Sequence, residues 1–171
     1  NTTTSLTLPS GRLVSRLDDV DFKSTGVIGV RAYHISDYRT YLLTVDGAYS
    51  TFEDETVGSP YGASLAYDSN DNRYLIVGAN STTVNCYRNA MKLGSIAPHK
   101  IGHFALGIDN DDNVYFLYTK RDEKCYYRKY TADTSTFEDE VALTTADGLR
   151  PNCEKHVLAS STALHITYFS D

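Results

Sequence analysis

The sequence predicts an all-β fold, a β-propeller built from four-stranded blades of about 40–45 residues, and three observations carry the prediction. The first is a long repeat. Ser50-Thr51-Phe52-Glu53-Asp54-Glu55 returns 85 residues later as Ser135-Thr136-Phe137-Glu138-Asp139-Glu140, and the same offset carries Tyr33, Asp37 and Tyr41 onto Tyr118, Asp122 and Tyr126. The second is a unit half as long: Asp68-Ser69-Asn70-Asp71-Asn72-Arg73-Tyr74 and Asp109-Asn110-Asp111-Asp112-Asn113-Val114-Tyr115 stand 41 residues apart. The third is the texture of the chain. The runs 40–45, 73–77, 114–118 and 164–169 are rich in β-branched and aromatic residues and are bounded by Gly, Asn, Asp and Ser clusters that turn the chain. No window of a dozen residues sustains helical spacing of apolar positions.

Taken in order, the first blade covers about residues 12–57, with strands near 12–21, 27–35, 39–45 and 48–57. The second covers 62–97, with strands near 62–67, 73–79, 83–89 and 91–97. The third covers 103–144, with strands at 104–108, 114–119, 124–131 and 137–144. A fourth, 154–171, offers only two strands, 155–160 and 164–169. Ala63-Ser64-Leu65-Ala66, Phe104-Ala105-Leu106-Gly107 and Val157-Leu158-Ala159-Ser160 are small or apolar, as strands crowded around a central channel must be. Three and a half blades leave sheet edges that must be covered. A strand from 2–8 can complete the last blade, copies of the chain can complete one another, or the chain is one piece of a longer propeller. The fragment or the oligomer is the preferred solution over a self-contained ring, and the chain, beginning at Asn1 without Met, reads as a processed or excised product.

Composition narrows the partners. Sixteen basic against twenty-two acidic residues give a net charge of −6 and a pI near 5.3, with no basic cluster to bind nucleic acid or an anionic membrane surface. No apolar run is long enough to span a bilayer, so no membrane insertion is expected. The triplets at Asn1 and Asn80 are N-glycosylation sequons if the chain is extracellular. Cys86, Cys125 and Cys153 leave one thiol over in any pairing. Cys86 and Cys125 fall at corresponding places in successive units, too far apart for a disulfide, and read as buried free thiols.

Hydrolytic chemistry finds little support. Glu53/Asp54/Glu55 and Glu138/Asp139/Glu140 contain enough carboxylates for an acid and a nucleophile. As repeated positions on outer strands, however, they read as solvated edges that discourage strand addition. His34, His99, His103, His156 and His165 are not accompanied by a nucleophile elbow. Asp109, Asp111 and Asn113 have the alternating oxygen spacing of a calcium loop. The position that needs Gly is Val114, and the one that needs Glu is Lys120, so turn capping explains them better. No cofactor is called for, with calcium as the alternative.

Tyrosine is the better signal. Fourteen Tyr against six Phe favour rings with a polar tip, which suit sugars and polar protein surfaces. Tyr87-Arg88 and Tyr126-Tyr127-Arg128 recur in adjacent units as candidate ligand-binding residues. Repeated weak pockets would supply avidity; the competing explanation is packing between blades, with Arg stems covering the rings.

The third unit, Asp109 to Tyr118 with Tyr126-Tyr127-Arg128-Lys129-Tyr130 and Phe137 to Thr144, resembles sialidase-type (BNR-like) propeller blades. In these an Asp/Asn/Gly turn joins the inner hairpin and a Tyr-Tyr-Arg strand follows. The resemblance covers about residues 60–171. The family's Asp-box ending in Trp is missing, as are its Arg-Ile-Pro motif and its arginine triad with a Tyr–Glu pair. The resemblance therefore implies the scaffold and glycan recognition, not hydrolysis. The combined reading is a non-catalytic module on an extracellular, virion or cell surface that binds a glycan or glycoprotein. A subunit of an extracellular filament or particle, and a fragment of a propeller glycosidase, are the alternatives.

Overall fold

The computed structural model describes residues 16–24, 28–34, 39–46, 48–54, 63–80, 82–89, 91–96, 104–120 and 124–143. They form three antiparallel sheets, and no helix occurs among them. The first sheet comprises β1 (Arg16–Phe22), β2 (Ile28–His34), β3 (Arg39–Asp46) and β4 (Ala48–Asp54). The second comprises β5 (Ala63–Tyr67), β6 (Arg73–Asn80), β7 (Thr83–Arg88) and β8 (Met91–Ile96). The third comprises β9 (Phe104–Ile108), β10 (Val114–Thr119), β11 (Cys125–Thr131), β12 (Thr136–Phe137) and β13 (Val141–Ala142). Each sheet is a meander in chain order, and β12 and β13 share the outer edge of β11. These are three propeller blades. The expected closing strand 2–8 and the fourth unit 154–171 lie outside the described residues.

The first strands stand side by side, β5 against β1 on one flank and β9 on the other. They belong to different sheets, so side chains bridge them. The Tyr67 amide donates to Asp21 Oδ2 at 2.9 Å, and the Leu106 amide donates to Ser64 Oγ at 3.2 Å. In the second and third blades the second strands, β6 and β10, are covered on both faces, which explains their unbroken apolar runs. Tyr74, Leu75, Ile76 and Val77 are all buried, as are Phe116, Leu117 and Tyr118. Among the described residues a large part of the core lies between the second and third blades. Tyr74, Ile76, Val84 and Cys86 from one side meet Leu106, Val114, Phe116, Tyr118 and Tyr130 from the other.

Two expectations need correction. Residues 137–144 do not form one outer strand. Tyr130 pairs with Phe137 but Tyr127 pairs with Val141, so one extra residue is accommodated between β12 and β13. The ladders β3–β4 and β7–β8 also shift register, so all three outer strands are bulged, a device that spoils an edge for pairing with another chain. The second correction concerns equivalence between blades. Tyr74 pairs with Arg88, whereas its repeat mate Tyr115 pairs with Lys129. Arg88 therefore corresponds to Lys129, Tyr87 to Arg128, Cys86 to Tyr127 and Cys125 to Val84. Tyr87-Arg88 and Tyr127-Arg128 are one register step apart, and a one-residue step reverses the face to which each side chain points.

Candidate functional site

The pairing pattern sorts the candidate residues by face. Arg88 lies opposite Tyr74 on the face of the second blade that meets the third. Tyr126 and Arg128 lie opposite Tyr118 and Phe116 on the face of the third blade that meets the second. The structure thus brings Arg88, Tyr126 and Arg128 to one seam. Tyr87 and Tyr127 point away from it, to opposite sides. The Tyr87 hydroxyl accepts a hydrogen bond from Asn85 Nδ2 at 3.3 Å, and the Tyr127 ring packs on Tyr115 with centroids 5.6 Å apart.

Along the seam, aromatic rings follow one another. Tyr74 and Tyr130 are 6.1 Å apart, Tyr130 and Phe137 5.3 Å, and Phe116 and Phe137 5.5 Å. Tyr118 and Tyr126 stack at 6.3 Å. Cations lie on these rings: Arg88 over Tyr74 at 5.8 Å, Arg128 over Phe137 at 5.0 Å and Lys120 over Tyr126 at 4.2 Å. Arg128 Nε also donates to the Glu138 carbonyl at 3.1 Å.

At the end of the seam where β10 passes into β11, a polar cluster has formed that sequence reasoning missed. The bulge after Phe137 turns Glu140 to the seam, where its carboxylate accepts hydrogen bonds from the Tyr118 hydroxyl and from Lys120 Nζ. Partial burial works to raise the Glu140 carboxyl. The hydrogen bonds from Lys120 and Tyr118, with the charges of Lys120 and Arg128, outweigh it and hold the group below the ordinary carboxylate range. Burial, the hydrogen bond to Glu140 and its negative charge push the Tyr118 hydroxyl well above its usual value. A Tyr–Glu pair is the arrangement a tyrosine nucleophile requires. Tyr118, however, is fully buried and strongly held in its protonated form, so the contact ties the outer strand to the blade. A signal for it was present: the 85-residue offset that relates Tyr118 and Tyr126 to Tyr33 and Tyr41 also relates Glu140 to Glu55.

The calcium-loop residues form a hairpin turn. Asp109 Oδ1 accepts from the amides of Asp111 at 3.0 Å and Asn113 at 2.9 Å, and Oδ2 accepts from Asn113 Nδ2 at 2.9 Å and the Tyr115 hydroxyl at 3.1 Å. Burial opposes ionisation of this carboxyl, but those donors from Asn113, Tyr115 and Asp111 prevail and hold it below its ordinary value. Asp68 caps the corresponding turn of the second blade, accepting from the amides of Asn70 and Asn72. Among the described residues no group of three His, Cys, Asp or Glu side chains is placed to hold a metal ion. The Cys86 and Cys125 side chains are both fully buried; Cys153 and Asn1 lie outside the described residues. Asn80 ends β6 and pairs with Thr83 of β7.

The chain has a propeller fold. It superposes on the subtype N11 neuraminidase-like protein of A/flat-faced bat/Peru (H18N11) with a TM-score of 0.60 and 18% identity, over 91% of this chain and 46% of that one. It superposes on an exo-β-1,3-galactanase from Clostridium thermocellum with a TM-score of 0.52 and 11% identity, over 78% of this chain and 36% of that one. An exo-β-1,3-galactanase from Phanerochaete chrysosporium gives 0.50 and 9%, over 77% and 36%. The chain thus spans less than half the length of each. No protein-family model and no curated protein sequence matches it.

Proposed function

We propose that this chain is a recognition module for a glycan or glycoprotein, displayed on an extracellular, virion or cell surface, and that it acts without catalysis. The observation that carries the reading is its fold likeness to a neuraminidase-like protein and to galactanases. The site chemistry agrees with it. In the Tyr118–Glu140 pair the tyrosine is buried and the carboxylate is tied to Lys120, so Tyr118 is not presented as a nucleophile there. The partially buried rings of Tyr126 and Tyr127 and the Arg128 guanidinium have the amphipathic character that sugar recognition uses. Nothing in the reading needs a cofactor; calcium at Asp109, Asp111 and Asn113 is its alternative. The sequon at Asn80, on a hairpin turn, is the proposed glycosylation site, with Asn1 as the second. The partners include further propeller segments, from copies of the chain or from a longer parent. That is favoured by the chain's coverage of less than half of the proteins it superposes on. The same observation favours a second reading, a piece of a propeller glycosidase.

A glycan array run with calcium and again with chelator tests the proposal. Selective binding that weakens in Tyr126→Ala and Arg128→Ala, which share the seam, supports it, with Tyr127→Ala testing the opposite face; loss in chelator supports calcium at the Asp109 turn. A blank array from folded protein in both conditions sinks glycan recognition. Turnover of fluorogenic glycosides would move the conclusion to the glycosidase reading.

A further inference from the structure

One end of the three blades carries a repeated contact between blades that neither the glycan reading nor the packing of the core uses. In the turn between β5 and β6, Asp71 reaches back to the first blade. Its Oδ1 accepts from the Ser24 amide at 2.7 Å, and its Oδ2 from the Ser24 hydroxyl at 3.0 Å. In the turn between β9 and β10, Asp112 reaches back to the second blade in the same way. Its Oδ1 accepts from the Ser69 amide at 2.9 Å, and its Oδ2 from the Ser69 hydroxyl at 2.5 Å and from Asn70 Nδ2 at 3.2 Å. Both aspartates sit at a left-handed φ of 59°, a conformation that Asp tolerates better than most residues. A carboxylate gripping an amide and a hydroxyl of one residue is a charge-assisted, two-point contact with a fixed direction.

The roles within the turn are divided. The first Asp, Asp68 or Asp109, caps its own turn, while the fourth position reaches to the preceding blade. The second position receives: Ser24 in the first blade, Ser69 in the second and Asn110 in the third. The Asn110 amide meets no acceptor among the described residues, and Asn110 is exposed. The residue two places after Ser24, where Asp71 follows Ser69, is Gly26, and the run 155–170 contains no Asp.

We propose that this turn is a directional blade-to-blade latch, which joins the first three blades into one arc and leaves Asn110, the receiving position of the third, unlatched. A blade docking after the third by the same device must bring an Asp to the fourth position of its inner turn. The run 155–170 contains no Asp and so does not supply one.

Residue-resolved amide hydrogen exchange on the whole chain tests this. After correction for intrinsic rates, the Ser24 and Ser69 amides should exchange at least about tenfold more slowly than the Asn110 amide. Asp112→Gly, which accepts φ 59° without strain, should bring Ser69 to the Asn110 rate and leave Ser24 unchanged. Ser69→Ala keeps the amide contact and loses the hydroxyl one, so its amide should fall between the two; this milder variant reads the latch if Asp112→Gly fails to fold. Protection of Asn110 equal to that of Ser69 would overturn its standing as unlatched. A Ser69 amide as fast as Asn110, or indifferent to both substitutions, would overturn the latch itself.

Discussion

Tyr74 and Tyr115 occupy the same place in successive blades and do different things. The Tyr115 hydroxyl donates to Asp109 at 3.1 Å, whereas the Tyr74 hydroxyl is buried with no hydrogen-bond partner among the described residues. Removing a donor that is in use costs about 1 kcal/mol, while removing a buried, unsatisfied one costs nothing or stabilises. Tyr115→Phe should therefore lower unfolding free energy by about 1 kcal/mol, and Tyr74→Phe should leave it unchanged or raise it. Urea unfolding of the two variants decides between this and equal effects. The sequence made both tyrosines recognisable as repeat mates, because turn spacing is local. Whether a hydroxyl reaches a carboxylate depends on packing between sheets, and no spacing encodes that.

Strands were the most legible feature, because alternating and β-branched runs act locally. Register was the least legible. The 85-residue repeat sets Tyr33 and Tyr41 against Tyr118 and Tyr126, yet Tyr118 pairs directly with Tyr126 while Tyr41 pairs with Ala32. The same residues recur on differently aligned hairpins, so identity of sequence does not carry over into identity of site. The bulges have a similar lesson. The extra residue between β12 and β13 turns Glu140 to the seam and leaves Phe137 facing the second blade, where a Cβ added at Gly94 would stand 3.3 Å from its ring. Gly94→Val should overpack that contact and destabilise by about 1–3 kcal/mol. Thermal melting that matches the parent would show that Phe137 yields freely.

For the molecule as a whole, stability should have an alkaline limit set by tyrosine protons that the fold holds. Burial pushes Tyr74 up to about 12, and burial with the hydrogen bond to Asp109 pushes Tyr115 to about 12. The folded chain keeps these protons above pH 10.0, where the unfolded chain releases them. Their contribution is therefore complete below pH 10.0 and is lost as pH rises through about 12. At the acid end the sign is reversed. Asp109 and Glu140 are held below their ordinary values, so the unfolded chain takes up protons first and stability falls as pH drops through their depressed range. Melting temperatures across pH should show both limbs, and the double variant Tyr74→Phe/Tyr115→Phe should shrink the alkaline one, with Tyr118 carrying the remainder. An alkaline limb unchanged in that variant would place its cause elsewhere.

By itself the sequence determined the strands, the inner turns and a propeller of blades about 40 residues long, because periodicity, turn chemistry and repeat length are properties of neighbouring residues. Only the tertiary structure decided which side chains share a seam. It moved Tyr87 and Tyr127 away from Arg88 and Arg128, assembled Tyr118, Lys120 and Glu140, and set Asp71 and Asp112 on the serines of the preceding blades. Those contacts depend on strand register, on a single bulge residue and on the approach of separate sheets, and each couples residues far apart in the chain.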